Sequence, residues 1–103
     1  MPTPIPVRCV IRTEKKKNPE TVAVLVDIPG TNDPTTFQVF SPTEGHVTGT
    51  YGWFASKTKP ANATEVGRLL TLLRKAGYHP MTSLKIPRDA FLKRLAAINQ
   101  PKP

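Results

Sequence analysis

Residues 5–28 read Ile5-Pro-Val-Arg-Cys-Val-Ile-Arg-Thr-Glu-Lys-Lys-Lys-Asn-Pro-Glu-Thr-Val-Ala-Val-Leu-Val-Asp-Ile28. The first part alternates: Ile5, Val7, Cys9 and Ile11 point one way, Arg8 and Arg12 the other. Period two with β-branched residues is the mark of a half-buried strand. Pro4 and Pro6 lack an amide donor and point to a strand start or a sheet edge. Lys15-Lys16-Lys17-Asn18-Pro19 makes the turn. The run Thr21–Ile28 is apolar on both faces apart from Asp27, as a covered, central strand must be. The stretch therefore predicts a β-hairpin inside a larger sheet.

Working outward, Pro29-Gly30-Thr31-Asn32-Asp33-Pro34 is a dense turn signal, and Phe37–Phe40 is a short strand after it. A second turn, Ser41–Gly45, leads to His46–Phe54, expected as a fourth strand with Val47, Tyr51 and Trp53 on one face. Gly49 and Gly52 within it signal a bulge or a close backbone approach. A helix follows: Asn62 caps it, Glu65 completes a capping box, and Val66, Leu69, Leu70, Leu72, Leu73 and Ala76 share one arc. Arg74 and Lys75 suit its carboxyl-terminal dipole, and Gly77 is a left-handed cap. Tyr78–Ile86 reads as a strand broken or delayed by Pro80. Pro87 opens a second helix whose stripe is Phe91, Leu92, Leu95 and Ile98, with Lys93 and Arg94 off it. The expected fold is α+β in the order β-β-β-β-α-β-α: four to five mainly antiparallel strands with two helices on one face. The 103 residues make one domain, with residues 1–4 and 100–103 expected to fray.

Charge is distributed unevenly. The chain has 15 Lys+Arg against 7 Asp+Glu, a formal charge of +8, yet residues 21–50 contain no Lys or Arg. The cations gather in the first hairpin loop, near residue 58, and on the helices, a distribution that bears on partners rather than on fold. Solvated helix faces would give the same count. The lone cysteine, Cys9, excludes an internal disulfide and a cysteine-based zinc cage, and its place on the apolar face of a strand makes it a core thiol. No apolar run approaches a membrane span, and Met1–Pro6 has neither the basic nor the apolar region of a secretory signal. A cytoplasmic protein without membrane contact is expected.

Catalytic chemistry finds little support. His46 and His79 are the two histidines, and neither stands at chelate spacing with the other or with Cys9, so no metal and no cofactor are expected. No glycine-rich loop joins a strand to a helix. Asp27 is the one acid set in an apolar strand, and its place is the solvent side near the strand end. A small basic ribonuclease using His46 or His79 ranks a distant third among the functions. Residues 46–60 are the richest segment: three of the seven aromatics, Tyr51, Trp53 and Phe54, stand beside Lys57 and Lys59. Aromatic faces stack on unpaired bases while lysines hold the backbone. The same cluster also serves as packing beneath a helix or as a partner hot spot.

The Lys57-Thr-Lys-Pro-Ala-Asn-Ala-Thr-Glu-Val66 helix entry and the Leu73-Arg-Lys-Ala-Gly-Tyr78 exit resemble small proteins carried by bacterial plasmids and integrative elements, over residues 46–78. The resemblance implies a mobile-element origin and a small α/β domain, and transfers no active site. Two functions follow from the residues. The first is an accessory protein binding nucleic acid, single-stranded or unspecific duplex, with little sequence specificity. Its contacts are Lys15, Lys16, Lys17, Tyr51, Trp53, Lys57, Lys59, Arg68, Arg74 and Lys75. The second is a protein-interaction module, an inhibitor or adaptor from a mobile element or phage, docking on an acidic or nucleic-acid-processing partner. No helix-turn-helix or other recognition helix is apparent. Oligomeric state is open, since the proline-marked strand at residues 5–13 offers an edge that its prolines and arginines oppose.

Overall fold

A computed structural model describes residues 3–100. The chain runs β1 (Ile5–Glu14), β2 (Thr21–Leu25), β3 (Thr36–Ser41), β4 (Gly45–Thr50), α1 (Tyr51–Lys57), β5 (Thr58–Pro60), α2 (Ala63–Lys75), β6 (Tyr78–Thr82) and α3 (Ala90–Ile98). The fold is α+β, and the sheet is mainly antiparallel with the order β4-β3-β2-β1-β5. The hairpin forms as expected, with Cys9 opposite Leu25 and Thr13 opposite Thr21. β1 is a central strand. Its second edge is shared end to end by β5, antiparallel at Arg12–Glu14, and by β6, parallel at Ile5–Cys9. Pro6 thus marks a strand start, and no sheet edge is left at residues 5–13.

The alternation of β1 and β2 sorts the core into two layers. Val7, Cys9, Ile11, Ala23 and Leu25 face α2, which buries Leu69 and Leu73 against them. Val10, Val22, Val24 and Val26 face the other way and meet Phe37, Val39 and Ala90, with Trp53, Phe54 and Ile86 at the margin. The two expected helices therefore lie on opposite faces of the sheet, α2 on one and α3 on the other. Both faces of β2 are apolar and both need cover, which is why one helical layer does not suffice.

Helix α2 forms for the reasons read from its caps. Glu65 N–H donates to Asn62 Oδ1 at 2.9 Å, and Asn62 N–H donates to Glu65 Oε1 at 3.1 Å. Gly77 closes the other end at φ +96°, a left-handed conformation that favours glycine.

Three segments depart from expectation. The fourth strand stops at Thr50, and residues 51–57 turn helical instead of carrying Tyr51 and Trp53 along a strand face. The Thr50 hydroxyl caps this helix by accepting from the Trp53 amide at 3.2 Å. Gly49 pairs with Phe37, and a Cβ there would sit 2.8 Å from the Phe37 ring and from Val39, so the close approach foreseen for a glycine is real. The strand over 78–86 ends at Thr82, and beyond it Ile86 packs against the core of the sheet's second face. Finally, α3 starts at Ala90 rather than at Pro87, and it is rolled: Ala90 and Arg94 are its buried residues, while Leu92 is 63% exposed.

Candidate functional site

The hairpin loop and the α1–β5 junction meet at one end of the sheet. The Lys15 amide donates to the Lys57 carbonyl at 2.8 Å, and β5 pairs Lys59 with Thr13 and Thr58 with Glu14. Lys15, Lys16, Lys17, Lys57 and Lys59 are all exposed and share this end. Lys16 pairs with Glu14 at 3.4 Å, the one ion pair here among the described residues. Glu44 lines a depression here with Glu14, Lys16 and Glu20, and two of the carboxylates at this end, Glu20 and Glu65, are already engaged. Burial alone would raise the Glu20 pKa, but hydrogen bonds from Ser41 and Thr43, with Lys16 close by, hold it below the ordinary value. Glu65 is likewise held low, by the Asn62 amide first and the Thr21 hydroxyl second. Five ammonium groups thus stand with four carboxylates, Glu14, Glu20, Glu44 and Glu65, of which Glu20 and Glu65 are occupied as acceptors.

Arg68 belongs to this end as well, for it lines a shallow depression with Pro19, Glu20 and Thr21 of the returning hairpin. Arg74 and Lys75 do not. They occupy the last turn of α2, about 18 Å along the axis from its start.

On the face carrying α1, a groove of about 660 Å³ opens between three elements. Helix α1 contributes Tyr51, Phe54 and Ala55, at the i, i+3, i+4 spacing of one helical side. β1 and β5 contribute the register pair Arg12 and Pro60, and the segment after β6 contributes Leu84, Lys85 and Ile86. Arg12 is set by its neighbours: Nε donates to Thr58 Oγ1 at 2.9 Å, and Nη2 to the carbonyls of Thr58 at 3.1 Å and Phe54 at 3.4 Å. Its guanidinium lies over the Phe54 ring, 4.2 Å from the centroid. Nη1 is left without a protein partner among the described residues. Partial burial draws the Arg12 pKa down, since the charged form has lost water.

The two aromatics expected to act together are separated. Tyr51 is 39% exposed and lines the groove, whereas Trp53 is half-buried and lines a different depression with Glu14, Lys16, Glu20 and Glu44. On a helix, residues two apart stand about 200° apart, so a shared face required the strand that does not form.

Behind Tyr51 lies a group that sequence reasoning placed in solvent. Arg94 is fully buried and donates from Nε to the Pro34 carbonyl at 2.9 Å, from Nη1 to the Val26 carbonyl, and from Nη2 to the Tyr51 hydroxyl. The rings of Tyr51 and Phe37 stand 5.2 and 5.6 Å from its guanidinium carbon. No signal short of the α3 roll would have found it. Asp27, expected in solvent, takes a bidentate pair from Arg8 at 2.7 and 2.8 Å, and Arg8 also reaches Asp89 at 2.9 Å, tying the start of α3 to β1.

The remaining candidates are dispersed. Cys9 is buried, and burial pushes its thiol pKa up to about 11. His46 shares a 2.9 Å hydrogen bond with the Tyr78 hydroxyl, and His79 is exposed on β6. Among the described residues, no three His, Cys, Asp or Glu side chains gather in a metal-binding arrangement, and no helix is long and apolar enough to cross a membrane. No family model matches the chain, and neither a curated protein nor a solved structure does.

Proposed function

We propose that the protein binds nucleic acid with little sequence specificity, holding phosphates on the lysine end formed by the hairpin loop and the α1–β5 junction. The observation that supports this is the hydrogen bond from the Lys15 amide to the Lys57 carbonyl, which joins two separate basic segments into one exposed cluster. Phosphate contacts of this kind release condensed counterions and carry no base information. Arg68 extends the cluster along the hairpin return, while Arg74 and Lys75 stand outside it. Cytoplasm is the fitting location, since nucleic acid is present there and the lone thiol stays reduced. Anisotropy titration against single- and double-stranded oligonucleotides tests the reading. Roughly micromolar binding at about 50 mM salt, falling steeply by about 200 mM, is expected; no binding at the lower salt refutes it.

A second reading, a protein-interaction module of a mobile element, is favoured by one observation: Leu84 stands 81% exposed at the groove. Such a side chain suits an apolar anchor on a partner. Pull-down from a nuclease-treated lysate separates the two, because a partner held through nucleic acid is lost on that treatment.

A further inference from the structure

We infer that the groove between α1, β5 and the segment 84–86 is a pocket for an unpaired nucleobase of the strand whose phosphates the lysine end holds; this rests on the phosphate-binding reading above. Three features lead there. The first is charge: Arg12 and Lys85 stand in the wall, and no carboxylate lines it. The buried guanidinium of Arg94 adds a further positive charge behind Tyr51. An occupant that is anionic at one end is favoured, and a partner's acidic peptide or a strand of nucleic acid would both satisfy that alone.

The second feature is shape. The remaining walls are Tyr51, Phe54, Leu84 and Ile86, and the volume lies in the roughly 300–1,000 Å³ range of small-molecule clefts. The Arg12 guanidinium carbon stands over the Phe54 ring, 4.2 Å from its centroid, held there by three hydrogen bonds. A planar cation on a ring is a stack that accepts a further planar layer, and a heterocyclic base supplies one where an aliphatic or acidic side chain does not.

The third is continuity. Ala55 and Pro60 of the groove flank Lys57 and Lys59 of the lysine end. A strand lying on those lysines passes the groove mouth within one or two residues' reach. Duplex hides its bases, so a base pocket at this place makes the protein prefer single strands.

The experiment compares three ligands on the full chain at about 50 mM salt: oligo(dT), a fully abasic oligonucleotide of the same length, and the matching duplex. The abasic strand keeps every phosphate and removes every base. Stacking of one base predicts that oligo(dT) binds about five- to 150-fold more tightly than the abasic strand. Leu84→Glu alters an 81% exposed side chain, so the fold tolerates it, and it sets a carboxylate in the groove. It should bring oligo(dT) down to the abasic affinity. Equal binding of oligo(dT) and the abasic strand overturns the pocket and leaves the lysine end standing. Failure of both to bind overturns the lysine end and the pocket with it. Self-association in sedimentation velocity that Leu84→Glu abolishes, with the gap between the two strands unchanged, assigns the groove to a second copy of the chain and overturns the pocket too.

Discussion

Replacing Arg94 by Met should destabilise the protein by about 2–4 kcal/mol, and the structure says why a hydrophobic side chain of similar length is no remedy. Arg94 is fully buried without a carboxylate partner among the described residues; its donors go to the carbonyls of Val26 and Pro34 and to the Tyr51 hydroxyl. Removing a buried ion pair as a unit is often harmless, because both charges leave together. Here only the cation leaves, and the two carbonyls stay. The Val26 carbonyl is buried and the Pro34 carbonyl partly so, and an orphaned buried acceptor costs about 1–3 kcal/mol. The Tyr51 hydroxyl can turn to water, since that residue is 39% exposed. Against this stands relief from burying a charge, which lowers the total but does not cancel it. Urea unfolding followed by Trp53 fluorescence measures the outcome. With a slope of about 1–3 kcal/mol per molar, typical of small domains, the midpoint should fall by about 0.7–4 M at unchanged slope. A shift within about 0.5 kcal/mol, the range of ordinary surface substitutions, would refute the burial of Arg94 and with it the roll of α3.

Three further outcomes are expected. Lys57→Gln with Lys59→Gln should reduce the salt slope for single strands by about 1.4, at about 0.7 per phosphate contact, whereas Arg74→Gln with Lys75→Gln, an equal loss of charge at the far end of α2, should leave it unchanged in the same titration. Glu20 and Asp89 both have depressed pKa values, Glu20 because hydrogen bonds from Ser41 and Thr43 outweigh its burial, Asp89 through Arg8. Such groups stabilise above their unfolded pKa and lose that contribution as pH falls, so the urea midpoint should hold from neutral to about pH 5 and drop below about pH 4, less steeply in Glu20→Gln. Cys9, buried with its pKa raised to about 11, should react with a thiol reagent at pH 8 only as fast as the protein unfolds; immediate reaction in native buffer would place it at the surface.

The parts of the fold legible in the sequence are those fixed by short-range chemistry. The β1–β2 hairpin follows from period two and an apolar run, and α2 follows from Asn62, Glu65 and Gly77, whose roles are set within a few residues. The parts not legible depend on which layer a segment must cover. In α3, Phe91, Leu92, Leu95 and Ile98 make the more apolar stripe, yet Ala90 and Arg94 are buried. A small residue lets the helix sit close to Val26 and Phe37, and the arginine finds carbonyl acceptors that only the tertiary fold supplies. Hydrophobic periodicity ranks side chains by transfer from water, and it does not know of carbonyl acceptors waiting at Pro34 and Val26.

The same limit hid the groove. Tyr51, Trp53 and Phe54 read as a strand put Tyr51 and Trp53 together and Phe54 on the opposite face, which favours the pair the structure separates. As a helix capped by Thr50, Tyr51 and Phe54 stand one turn apart and build a wall, and Trp53 turns toward the acidic depression. The charge pattern was indifferent to this choice, since Lys57 and Lys59 are exposed on either geometry, so the basic end could be anticipated while its aromatic neighbour could not. Arg12 connects the two. Its spacing in β1 set it opposite the apolar face, but only the helix end at Phe54 and Thr58 supplies the carbonyls that hold its guanidinium over a ring. A groove with cations in its wall and the lysine end at its mouth is therefore a product of one local switch from strand to helix at residue 51.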